Sequence, residues 1–195
     1  MVRRVIDITV ALAALVLLAP ALLLIGMGIH LTMGSPVLFR QPRSGRHGRI
    51  FTIVKFRTMR EPRYPGESDA ARTPRFGSLL RATSLDELPQ LWNVLRGDMS
   101  LIGPRPTLPE QVVHYSAWQR RRLEILPGIT GYAQVKGRNS LAWPERIELD
   151  IHYIDHRSAG LDLWILRRTV ARLIRPEGIT GEGGVNPGFP VDKAA

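Results

Sequence analysis

The apolar and polar positions divide the chain into three stretches. From Val10 to Ile29 no residue is charged, and about 20 apolar residues are enough to cross a bilayer. After Ser35-Pro36 the pattern shortens, and Val37 to Phe39 and Ile50 to Phe56 read as extended segments around the polar turn 43–48. Helical spacing then predicts helices over Phe76 to Arg81, Asp86 to Leu95, Pro109 to Glu124, Trp143 to Asp155 and Leu161 to Arg175. Residues 60–74 carry the Pro, Gly and charge content of a mobile connection, and 178–190 is Gly-rich and expected to be poorly ordered. The fold class expected is α+β, mostly helical. Its expected parts are a membrane segment at 1–34, a compact domain at 35–177 with short strands and amphipathic interfacial helices, and a flexible tail at 178–195.

Three courses are open to the apolar stretch. A cleaved signal peptide has an apolar core of roughly 7 to 15 residues and a small-residue cleavage site, and this run is longer and lacks a clean one. A spanning helix has the length. However, Arg3 and Arg4 precede it while Arg40, Arg43, Arg46 and Arg49 follow, and a single crossing cannot leave both basic flanks in the cytoplasm. Pro20 stands mid-run after Ala19, and an interior proline removes a backbone hydrogen bond and kinks a helix. A re-entrant helix that bends at Ala19-Pro20 and leaves on its own side satisfies both flanks. The carbonyl freed near Val16 then needs another partner, because unsatisfied backbone is expensive in hydrocarbon.

Charge narrows the partners. The 195 residues carry a formal charge of +10, mostly from Arg, and no cysteine. Polyanions are the natural partners, whether nucleic acid, anionic lipid headgroups or phosphorylated small molecules, and neither a disulfide framework nor a thiolate zinc site is available. The helix predicted at 161–175 places Leu163, Leu166, Val170, Leu173 and Ile174 on one face and Arg168, Arg172 and Arg175 opposite. It reads either as a surface helix packed on the core or as an amphipathic helix in the membrane interface. The triplet Arg120-Arg121-Arg122 reads by default as a solvated charge run.

The acidic pair Asp86-Glu87 carries the candidate chemistry. Ser84 and Glu87 fit a capping box with Pro89 in the first turn, so the pair has a purely structural reading. The same helix start would hold Asp86 ionised, as a carboxylate nucleophile must be, and place Glu87 to share a divalent cation with a diphosphate. Attack on phosphorus needs phosphoryl charge neutralised by metal and guanidinium, and Arg57, Arg81, Arg105 and Arg138 supply the latter. His152 and His156, four residues apart, lack a third ligand for a metal site.

At this point a resemblance becomes specific. Phe51 to Met59 with Lys55-Phe56-Arg57, then Arg81 to Ser100 with Leu101 to Pro106, then Pro127 to Asn139 are similar, in that order, to segments of the bacterial sugar transferase family, the monotopic phosphoglycosyl transferases. The resemblance runs from the apolar helix to about Arg175. It implies a membrane enzyme at the cytoplasmic face of the bacterial cell membrane that moves a sugar-1-phosphate from a UDP-sugar to a polyprenyl phosphate. UMP is released, and lipid-linked glycan or exopolysaccharide synthesis begins.

Carried over by motif, Asp86 would be the nucleophile forming a phosphoglycosyl-aspartate, and Glu87 the Mg2+ ligand. Arg81 and Arg138 would hold phosphate charge, Lys55 and Arg57 would lie at the substrate, and Pro104-Arg105-Pro106 would shape the uridine end. Asp162 would support the architecture or an Arg partner. Relatives often have Ser where this chain has Ala19, and Trp and Asn at Tyr132 and Lys136; the first bears on the shape of the break, the others on substrate preference. No transmembrane bundle is expected ahead of the catalytic part, as in the minimal members. Membrane lipids are expected partners and nucleic acid is not, because nucleic-acid binding leaves the apolar run and the acidic pair unused. A non-catalytic basic membrane scaffold is the alternative.

Overall fold

The computed structural model describes residues 2–137, 140–174 and 189. The chain forms two compact units, one of Met1–Gln41 with Ile53–Leu95, the other of Pro42–Thr52 with Arg96–Ala195. Arg138, Arg175 and all of the expected tail except Phe189 lie outside the described residues.

The first unit begins with helix α1, Val2–Met33, which is helical through Ala19 and Pro20. A break into two helices is therefore not seen, and the helix starts eight residues before the uncharged run because Arg3, Arg4 and Asp7 are accommodated. Asp7 is buried, and Arg4 reaches the end of another helix, with Nη1 donating to the Val94 carbonyl (2.6 Å) and Nη2 to that of Leu95 (3.0 Å). The middle of α1 stays bare, with Leu12, Val16, Leu17, Leu23 and Leu24 all exposed. Strands β1 (Leu38–Ser44) and β2 (Ile50–Phe56) pair as a two-stranded sheet, as the alternation predicted, and β1 runs five residues further than expected.

Around the end of α1 a small core gathers Ile29, Phe56 and Leu80, with Ile25, Val37, Leu38 and Phe76 against it. Helix α2 (Asp69–Arg72), capped by Ser68, forms inside the predicted mobile connection. Helix α3 (Arg75–Ala82) matches expectation and lies directly on the backbone of Thr58: a Cβ on Gly77 would fall 2.0 Å from the Thr58 carbonyl oxygen. The helix predicted over 86–95 divides. Leu85–Glu87 form one 3-10 turn and α4 spans Gln90–Arg96, because Pro89 cannot donate into a continuous ladder.

In the second unit β3 (Ser100–Ile102) pairs in parallel with β4 (Gly128–Thr130), in the register Ser100 to Gly128 and Ile102 to Thr130. Three-residue strands carry too little alternation to be read from sequence. Glycine permits their close approach, since a Cβ on Gly128 would lie 2.1 Å from the Gly103 nitrogen. The helix predicted over 109–124 is interrupted. It becomes α5 (Pro109–Val112), α6 (Ala117–Arg120) and a 3-10 turn, with Ser116 capping α6 through a capping box with Gln119.

Helices α7 (Tyr132–Lys136), α8 (Trp143–His156) and α9 (Ala159–Ile174) enclose a core of Val135, Tyr153 and Ile165. Packing of α9 separates the two readings of its apolar stripe. The stripe Leu163, Leu166, Val170 and Leu173 is exposed, and the helix packs through Leu161, Trp164 and Ile165. Arg168 is exposed and lies over the Trp164 ring one turn earlier in the same helix, while Arg172 donates to the Lys136 carbonyl at the end of α7. Of the two readings open to this stripe, packing on the core is the one that the exposure sets aside. Phe189 rests against the rings of Tyr115 and Trp143.

Candidate active site

Strand β2 delivers Lys55 to the acidic pair. Its Nζ lies 2.7 Å from Glu87 Oε1, and both side chains are only 16% exposed. A partly desolvated ion pair of this kind fixes the carboxylate's orientation more firmly than a surface pair would. Beside it, Asp86 occupies the middle of the 3-10 turn and is half-buried. The turn is entered through Ser84, whose φ of 57° and ψ of 17° are left-handed. A non-glycine residue there is uncommon and is found where a fold over-determines a functional loop.

The expected capping box does not form. Ser84 makes no side-chain cap bond, and Glu87 faces Lys55 instead of the Ser84 backbone. Both carboxylates nevertheless lie in the first turn, where a helix start favours negative charge. Arg81, at the end of α3, donates from Nε to Thr58 Oγ1 (2.9 Å), which leaves its fork oriented by the residue that follows Arg57. The Val54 amide bonds to Asn93 Oδ1 at 3.1 Å, locking β2 to α4. Lys55, Arg81, Asp86 and Glu87 thus belong to one unit.

Arg57 is placed otherwise than the sequence suggests. It is buried, and Nη2 donates to the carbonyls of Met33 and Gly34 at 2.6 Å each while Nη1 reaches that of Ser35 at 3.3 Å. Its guanidinium covers the C-terminal end of α1, where unpaired carbonyls and the helix dipole favour a cation.

The second unit holds the Pro104-Arg105-Pro106 turn by all three of its carbonyls. That of Pro104 accepts from the Gly128 amide (2.9 Å), that of Arg105 from Arg122 Nη2 (3.2 Å) and that of Pro106 from Arg43 Nη1 (3.5 Å). Both prolines are buried and the Arg105 side chain is exposed. The polar turn 43–48 accordingly braces this motif, with Arg46 also donating to the Glu124 carbonyl (3.1 Å).

Arg122 was not singled out by the charge run that contains it. It is 4% exposed, with Nη2 2.5 Å from Asp150 Oδ2 and Nη1 2.8 Å from Tyr115 Oη. Burial pushes the Asp150 carboxyl up from the usual range, against the pull of Arg122. Burial lowers Arg146, and the neighbouring charges of Arg105 and Arg122 add to the effect. A carboxylate at Asp150, between Ile147 and Ile151 on the buried face of α8, was the available signal for a buried ion pair. Asp162 accepts from Tyr153 Oη at 2.7 Å, joining α8 to α9. His152 and His156 stack ring on ring, and no cluster of three metal-ligating side chains occurs among the described residues.

The donor set suits magnesium better than a transition metal. Mg2+ is held through one or two carboxylates, waters and substrate phosphate oxygens instead of an all-protein cage, and adjacent Asp86 and Glu87 offer that chemistry.

Comparison with known proteins decides the family. A match to the bacterial sugar transferase family covers residues 1–176. The chain belongs to that family. It is 45% identical over 180 residues to the uncharacterized sugar transferase EpsL of Bacillus subtilis, covering 91% of this chain and 89% of that one. It is also 45% identical over 186 residues to the UDP-glucose:undecaprenyl-phosphate glucose-1-phosphate transferase of Caulobacter vibrioides (88% and 69% covered). To the undecaprenyl-phosphate glucose phosphotransferase of Komagataeibacter xylinus it is 40% identical over 191 residues, covering 88% of this chain and 36% of that longer protein. As a bacterial sugar transferase it is an enzyme, a phosphoglycosyl transferase, and its long apolar helix associates it with the membrane.

Proposed function

We propose that this bacterial sugar transferase moves a sugar-1-phosphate from a UDP-sugar to a polyprenyl phosphate at the cytoplasmic face of the bacterial membrane. The observation that carries the reading is the Lys55–Glu87 pair set beside Asp86 on a left-handed-entry turn, with Arg81 five residues earlier. Names of the relatives from Caulobacter and Komagataeibacter supply the donor and acceptor classes.

In the first step an Asp86 carboxylate oxygen attacks the sugar-side phosphorus, the bond to the bridging oxygen breaks, and UMP leaves with that oxygen. In the second, a phosphate oxygen of the polyprenyl phosphate attacks the same phosphorus and the Asp86–phosphorus bond breaks. The product is a polyprenyl diphosphate sugar, and the carboxylate is regenerated. Lys55 holds Glu87 in place, and Arg81 neutralises phosphoryl charge. Arg105 and Arg138 take the uridine and phosphate roles that the family motif assigns them. Glu87 beside Asp86 would hold Mg2+, which would supply further charge neutralisation on the phosphates.

Incubation with a panel of UDP-sugars, undecaprenyl phosphate and Mg2+ tests the reading. UMP release is expected with at least one donor, and chelation should lower it by roughly 100-fold or more, since metal neutralisation contributes several kcal/mol. A chain that releases no UMP from any donor would reject it.

The membrane course we propose is re-entrant. Arg4 fastens the start of α1 to the Val94 and Leu95 carbonyls, and Arg57 fastens its end, all within one compact unit. A straight crossing would set those ends on opposite sides of about 30 Å of hydrocarbon, whereas a bend at Pro20 keeps both on one side. In the second unit, taken by itself, the exposed apolar stripe of α9 suits a membrane surface. Because the chain has no cysteine, Val2→Cys and Ser35→Cys each give a single label site. Both are expected to resist an impermeant maleimide in intact cells and to react in inverted vesicles; opposite behaviour of the two would establish a crossing.

A further inference from the structure

We propose that Arg57 is a positioning residue that ties the seating of the membrane helix to the geometry of the acidic pair, an inference that rests on the reading of Asp86 and Glu87 above. Three residues at the end of β2 and just beyond it connect to three different parts of the unit. Lys55 is bonded to Glu87, Arg57 to the carbonyls of Met33, Gly34 and Ser35, and Thr58 accepts from Arg81.

Two more contacts leave this segment little freedom. The Arg57 amide donates to the Val37 carbonyl at 2.9 Å, and the Thr58 carbonyl is pressed against Gly77 so closely that no Cβ fits between them. A shift of Arg57 toward or away from the helix end therefore moves Lys55 and Thr58 with it, and through them Glu87 and Arg81. No phosphate contact is required of the Arg57 guanidinium for this, because its Nη atoms already serve the helix carbonyls. The consequence is that detaching the end of α1 should disturb the metal and phosphate ligands while leaving the protein in the membrane.

The test compares Arg57→Met and Arg57→Lys with Ile29→Ala in nanodiscs. Ile29 is fully buried in the core at the same helix end, so its truncation loosens packing there and keeps the clamp. Readouts are kcat, the KM for each substrate, Mn2+ affinity followed by EPR in the presence of UMP, the thermal midpoint, and retention in alkaline-washed membranes. Arg57→Met is expected to lower kcat about 100-fold, the scale of a misplacement near 1 Å, to weaken Mn2+ binding, and to stay in the membrane with donor KM little changed.

Arg57→Lys keeps a cation at the helix end and should recover most of both losses. Ile29→Ala should lower the thermal midpoint but leave Mn2+ affinity near wild type. Should Arg57→Met fail to accumulate, Arg57→Lys against Ile29→Ala decides the matter, with a smaller weakening of Mn2+ binding expected only in the former. Equal changes of kcat and Mn2+ affinity in the Arg57 variants and Ile29→Ala, or none in the Arg57 variants, would overturn the inference. Absence of turnover in the wild type itself would instead overturn the functional reading on which it rests.

Discussion

Replacing Asp86 by Asn is expected to lower turnover by roughly 10^4-fold or more and to abolish any covalent sugar-phosphate adduct, as loss of a nucleophile does elsewhere. Asn matches Asp in size, and the Lys55–Glu87 contact of 2.7 Å beside it keeps both of its partners. The fold of the turn should survive, so the loss reads on chemistry. Trapping with labelled UDP-sugar in the absence of acceptor, followed by peptide mass spectrometry, locates the adduct. It should map to the peptide containing Asp86 in the wild type and be missing in Asp86→Asn.

Glu87→Gln gives the contrast. It removes the charge that pairs with Lys55, and with it the proposed metal-ligating carboxylate, but leaves the attacking oxygen, so adduct should still form, slowly. An adduct of normal yield in Asp86→Asn would sink the mechanism, since phosphorus would then be bonded elsewhere.

Much of this arrangement is legible in the sequence. The uncharged run predicted α1, and the alternation at 50–56 predicted β2 to the residue. Helices α3, α8 and α9 were each placed within about two residues, the usual uncertainty of helix ends. What periodicity could not resolve were pieces shorter than a period. The strands at 100–102 and 128–130 are three residues long, and Ser116 starts a new helix inside an apparently continuous one.

Side-chain destinations were the harder problem. Arg57 and Arg122 look like other arginines in a strongly basic chain, yet both are buried against carbonyls and, for Arg122, a carboxylate. Sequence spacing carries no information about such long-range partners. The α9 stripe shows why two readings stay open in the sequence. Its apolar spacing was read correctly, but the helix has a second apolar side through Leu161 and Ile165, and only packing reveals which one the unit covers.

The second large effect expected is on stability, at the buried Arg122–Asp150 pair. Removing one partner of a buried ion pair costs about 3–5 kcal/mol, because the other charge is left uncompensated. Both Asp150→Asn and Arg122→Met should therefore unfold at clearly lower denaturant concentration. Their dependence on pH should differ. In Arg122→Met the Asp150 carboxyl keeps the burial that already pushes it up and loses the guanidinium that opposes this. A carboxyl with its folded-state pKa raised above the unfolded value of about 4 gives stability that is present below that value and lost as pH rises. The deficit of Arg122→Met should thus be smallest near pH 4 and grow toward neutrality.

Asp150→Asn removes the titrating group and leaves a guanidinium that stays charged, so this site should no longer contribute to the pH dependence of that variant's own stability. Replacing both residues with apolar ones of similar volume should cost much less than either single change. Even so, it would free the Arg105 carbonyl that Arg122 holds at 3.2 Å. A double variant that folds well but binds the UDP-sugar poorly would separate the two duties of Arg122, and one with normal donor KM would confine the pair to stability.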